Sequence, residues 1–168
     1  MKMPVRKLTV LAMLSALSLI IFIIELRLPS LIPIPGVKAG LSNVVVLVTL
    51  YAYDRRSAGA VLLVKTVLGA VFAGSMLRFL YSLAGGVCCF AAAAALKGAV
   101  SEKQVWFLSA LAACAHNFGQ LLTARLVLGT PQVWWYAPIL ALAGVIAGVF
   151  TGFCARFALP VLRKANFK

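Results

Sequence analysis

The chain has 168 residues, 64% of them hydrophobic, and a mean hydropathy of +1.06. A soluble domain of this length has too little interior to hide that much apolar surface, so composition excludes an ordinary globular protein and points to an integral membrane protein, with residues 1–168 as one membrane domain. The net charge of +13, from 16 Lys and Arg against 3 Asp and Glu, is read as the cation bias of cytoplasmic helix ends, not as a surface for nucleic acid.

Lys2, Arg6 and Lys7 lead into the apolar run Leu8–Ile24. That run is too long for a signal peptide and lacks a small-x-small cleavage site, so it predicts a first membrane helix over 6–28. Pro29, Pro33, Pro35 and Gly36 end that helix in a stiff, extended loop. A short second span is predicted over 39–53, followed by the polar turn Asp54-Arg55-Arg56. Further spans are predicted over 57–75, 77–97, 104–128 and 133–160, separated at Gly74-Ser75, at Lys97–Lys103 and at Gly129-Thr130-Pro131-Gln132. The expected fold is therefore all-α, an integral membrane bundle of six transmembrane helices.

Cations at the helix ends set the expected orientation. One side carries Lys2, Arg6, Lys7, Arg55, Arg56, Lys97, Lys103, Arg156, Arg163, Lys164 and Lys168; the other carries Arg27, Lys38, Arg78 and Arg125. The richer side is expected to be cytoplasmic, with both termini inside. Trp134, Trp135 and Tyr136 then fall at the outer interface as an aromatic belt. Cys88, Cys89, Cys114 and Cys154 lie in apolar runs without zinc-type spacing and read as small core residues.

Lys65 lies in the middle of the apolar segment Ala58–Leu77. An ammonium at mid-bilayer costs about 2.5–3.5 kcal/mol on insertion scales, so it is expected to face the protein interior and meet a partner or ligand. The only acids are Glu25, Asp54 and Glu102. On the first helix, Ala12 and Ala16 share a small-residue face that suits close approach of another helix, and Ser18 and Glu25 lie on the opposite side. On the fourth helix Arg78, Tyr81, Ser82 and Gly85 form one stripe, and on the fifth His116, Asn117, Gln120 and Thr123 form another. Asn43 stands on the outer part of the short second helix, where it could bind a ligand or cap the loop. Gly144, Gly148 and Gly152 read as a close-packing face. His116 has no Cys, Asp or Glu at ligand spacing, so no metal or other cofactor is expected.

These groups converge on an expected outward-facing pocket for a small anionic compound, built from Glu25, Lys38, Asn43, Lys65, Arg78, Tyr81, Ser82, His116, Asn117 and Gln120. Two uses of Glu25 stay open, pairing with Lys65 or with Arg78. Helix–helix hydrogen bonding is the alternative use of the polar stripes.

Four ordered segments, Ile34–Asn43, Phe79–Gly86, Ala115–Gln120 and Gly129-Thr130-Pro131, resemble the bacterial membrane family called Gx transporter or heptaprenyl diphosphate synthase component I. That family is similar to the substrate-binding S components of energy-coupling factor (ECF) transporters. The resemblance implies a six-helix capture protein whose Ala-x-x-x-Ala motif, here Ala12–Ala16, docks on a transmembrane coupling subunit driven by ATPases. It also implies a flavin or a quinone or isoprenoid precursor as candidate substrate. Prenyl diphosphate synthases of the usual type hold magnesium and diphosphate on aspartate-rich motifs, and one Asp in the chain cannot supply them. The chain is therefore expected not to be an enzyme. The alternative is a non-transporting accessory subunit of a membrane redox or isoprenoid- or quinone-synthesis complex.

Overall fold

The computed structural model describes residues 4–27 and 40–166, with no strand among them. Six helices follow one another: α1 (Val5–Arg27), α2 (Asn43–Ala52), α3 (Arg55–Ala73), α4 (Met76–Leu96), α5 (Val105–Leu128) and α6 (Ala137–Asn166). Short 3₁₀ turns at Glu102–Gln104 and Pro131–Tyr136 lead into the last two. Local chemistry sets several of the ends. Asp54 caps α3 by accepting from the Ser57 amide at 2.8 Å, and α3 and α5 stop at Gly74 and Gly129 in the left-handed conformation.

Five of the helices are long and apolar enough to cross a membrane. α2 is not: its ten residues span about 15 Å, half of a hydrocarbon core of about 30 Å. The second span expected over 39–53 is thus a half-length helix in the described residues. It is apolar all round and buried from Val45 to Tyr51, as befits a helix surrounded by others. Leu11 and Leu14 of α1, Val61 and Leu62 of α3, Ala93 of α4, Leu108 of α5 and Leu159 of α6 share its core. A second, smaller apolar cluster joins Tyr81, Leu121, Ala124, Val133 and Leu140 towards the other end of the bundle.

The first end is marked by polar contacts between helix termini. Lys7 of α1 meets Asp54 at 2.6 Å, Arg163 of α6 forms a two-pronged pair with Glu102, Arg55 donates to the Ala94 carbonyl at 2.9 Å and Lys97 to the Leu50 carbonyl at 2.5 Å. The start of α1 and the end of α6 therefore share one face of the bundle. Asp54 is held down to about 2, chiefly by the Lys7 hydrogen bond and then by the Ser57 amide.

Gly148 and Gly152 let α6 lie against α5 as their spacing suggests. A Cβ at these positions would stand 2.5 Å from the Ala110 Cα and 2.3 Å from the Trp106 Cα. Large apolar side chains such as Phe72, Leu126, Phe150 and Phe157 point outward, the arrangement of a lipid-facing surface. The cysteines are free; against the expectation of core positions, Cys88, Cys89 and Cys114 are half-buried and Cys154 is exposed, standing about 100° round α6 from the buried Ala155.

Candidate functional site

A polar layer lies at the start of α2, where α1, α3, α4 and α5 converge. The first amides of α2 are met by the turn that precedes it: Asn43 donates to the Gly40 carbonyl at 3.0 Å and Val44 to the Leu41 carbonyl at 3.1 Å. Glu25 of α1 holds the other side of that turn: its Oε1 accepts from the Gly40 amide and, at 3.1 Å, from the Leu41 amide. The carboxylate thus sits where an anion is favoured at a helix N-terminus. It makes no ion pair within 4.0 Å with Lys65 or Arg78.

Lys65 is 2% exposed. Its Nζ donates to Asn43 Oδ1 at 2.7 Å and to Ser42 Oγ at 3.2 Å. The Ser42 carbonyl accepts from Ser18 Oγ at 3.0 Å, which ties the turn to α1. The ammonium is therefore hydrogen-bonded only to neutral oxygens, with no acid in contact.

An ammonium can only donate, so the Asn43 oxygen must face Lys65 and its amide nitrogen must face the other way. That nitrogen lies 2.9 Å from Nδ1 of His116. Nδ1 is then an acceptor, and the ring proton belongs on Nε2. His116 is buried, and Nε2 has no hydrogen-bond partner. Gly85 of α4 lies against the other edge of the ring, beside Cε1 and Nδ1.

The ring fits between two glycines. A Cβ at Gly40 would stand 2.9 Å from His116 Nε2, and one at Gly85 would stand 2.7 Å from its Cε1. Gly40 also has φ +76°, a backbone conformation other residues rarely take. Below the ring runs a narrow cavity lined by Asn43, Leu47, Leu50, Cys89, Phe90, Ser109, Ala112 and Thr151. The cavity volume is about 20 Å³, room for one or two waters.

The structure brings together Glu25, Asn43, Lys65 and His116, with Gln120 buried beside Gly85. It separates others. Asn117 is buried on the neighbouring face and donates to the Leu140 carbonyl of α6 at 2.7 Å, leaving its Oδ1 without a partner. Tyr81 packs its ring in the second, smaller apolar cluster, and Ser82 is buried next to it. Arg27 and Arg78 are exposed and Arg125 is half-buried, so Arg27 and Arg78 do not close over Lys65 as a cation cluster would. Lys38 lies outside the described residues.

Ser42 is the site residue that sequence reasoning misses; the polar Ser42-Asn43 pair at the head of a short apolar helix is the available signal. Among the described residues no group of three or more His, Cys, Asp or Glu side chains is placed to hold a metal ion. On α1, Leu11, Leu14, Ser18, Phe22 and Glu25 face the bundle and Ala12 and Ala16 are exposed.

Five membrane-length helices round a buried polar layer define a multi-pass helical membrane protein. The family model for heptaprenyl diphosphate synthase component I matches residues 14–158, and the chain belongs to that family. No curated protein and no solved structure matches it significantly.

Proposed function

We propose that the protein is a non-catalytic substrate-capture subunit of the S-component type, in the bacterial cytoplasmic membrane with both termini inside. It takes a small anionic metabolite, with a flavin or a quinone or isoprenoid precursor as candidates, and hands it on through an ECF-type coupling subunit and its ATPases.

The observation that carries this reading is Lys65. A buried ammonium with no acid in contact is expensive in a membrane bundle, and such residues mark substrate pathways. It sits beside the N-terminus of a half-length helix, the usual form of a transporter's binding site. The exposed Ala12–Ala16 face supports docking, since packing within the monomer does not use it.

The narrowness of the cavity favours a second reading, an accessory subunit that assembles a membrane complex and captures nothing. The two separate on one experiment. The tagged protein, expressed with an ECF module, should co-purify with the coupling subunit, and Ala12→Leu with Ala16→Leu should abolish that association while the monomer stays folded. Association that survives both substitutions would sink the docking claim.

A further inference from the structure

The buried donor on His116 has a direction, and that direction is set two residues away. Lys65 can only donate, which turns the Asn43 oxygen towards it at 2.7 Å. The Asn43 amide nitrogen must then donate to Nδ1 of His116 at 2.9 Å. The single ring proton is left on Nε2, which is buried without a partner, on a ring that lines the cavity at the head of α2. A buried donor left unmade is costly, and a bound acceptor there removes that cost.

We propose that Lys65 is a positioning residue that acts through Asn43 to make His116 a one-way hydrogen-bond donor, so that the site takes a ligand group that accepts at Nε2. A carbonyl, carboxylate or phosphoryl oxygen, or an unprotonated ring nitrogen, meets that requirement; an N–H or ammonium group meets another donor and is rejected. Gly40 and Gly85 belong to the same device, because a side chain at either would displace the ring. The ligand half of this inference rests on the capture reading. The proton's position does not, and it is read on the isolated chain without any ATPase partner.

His116 is the only histidine in the sequence, so ¹⁵N-histidine NMR of the full chain in nanodiscs reports on it alone. Wild type should give one neutral tautomer with the proton on Nε2. Lys65→Met frees the Asn43 amide to turn over and should give both tautomers. Asn43→Asp keeps a partner for Lys65 and offers only acceptors, so it should place a proton on Nδ1. Formate, a small acceptor, should shift the wild-type Nε2–H resonance, and guanidinium, a donor of similar size, should not. A wild-type proton on Nδ1, an Asn43→Asp spectrum like wild type, no response to formate, or equal responses to formate and guanidinium would each overturn the proposal.

Discussion

Glu25 and Lys65 flank the start of α2 without pairing. The carboxylate accepts from the Gly40 and Leu41 amides, and the ammonium donates to the Ser42 and Asn43 side chains. Four consecutive residues are thus held from two sides by opposite charges. The acid compensates the helix terminus, and the ammonium is left with no acid in contact.

Glu25→Ala removes the partner of two half-buried amides, at up to about 1–3 kcal/mol for each amide left unpaired. Glu25→Gln retains a carbonyl oxygen and loses only the charge. Chemical unfolding in mixed micelles should therefore show a clear loss for Ala and a smaller one for Gln. Equal losses would mean that the charge, and not the acceptor, holds the turn.

Lys65→Met should cost no more than about 3 kcal/mol of stability. Burying the ammonium costs about 2.5–3.5 kcal/mol, and its two hydrogen bonds, to Ser42 and Asn43, return about 1.5–3 kcal/mol each, so the burial cost offsets much of what they contribute. Thermal unfolding checks this, and a loss above about 3 kcal/mol would make Lys65 a structural residue.

Gly85→Ala puts a methyl 2.7 Å from His116 Cε1 and 2.9 Å from its Nδ1. Overpacking of this kind costs about 1–3 kcal/mol, and the ring can yield only by giving up the Asn43 bond. Gly98→Ala is the control, since nothing lies within 4 Å of its Cβ. A lower melting temperature and a shifted histidine spectrum are expected for the first substitution and neither for the second.

Asp54 titrates at about 2, below its ordinary value of 3.8, because Lys7 and the Ser57 amide favour the charged form. A depressed carboxyl stabilises the fold above its unfolded value and loses that contribution as pH falls through the folded one. The contact between α1 and the α2–α3 turn should therefore weaken between about pH 4 and pH 2. Asp54→Asn should flatten that part of the stability–pH profile. Half of the Asp54 side chain is open to solvent, so the effect is small.

Helical periodicity makes α1 legible. It puts Ser18 and Glu25 on one side and Ala12 and Ala16 on the other, and their burial follows that division. The glycine spacing on α6 foretells its approach to α5 for the same reason. The partner of Glu25 is not legible, because side-chain pairing rules point to Lys65 or Arg78 and say nothing of the Gly40 and Leu41 amides. Sequence spacing groups His116 and Asn117 in one stripe, yet neighbouring residues on a helix stand about 100° apart. His116 turns to α2 and α4, and Asn117 to α6. Arg27, Lys38, Arg78 and Arg125 group in the sequence by depth along their helices, which does not fix the side of a helix, and Arg78 is exposed.

Native mass spectrometry of the gently purified protein tests the capture role most directly, because it detects a bound molecule of any identity. Wild type should carry a small anionic adduct that is lost on collisional activation, and Lys65→Met should emerge folded and empty. No adduct on wild type, or the same adduct at the same occupancy on Lys65→Met, would contradict a ligand site at the head of α2.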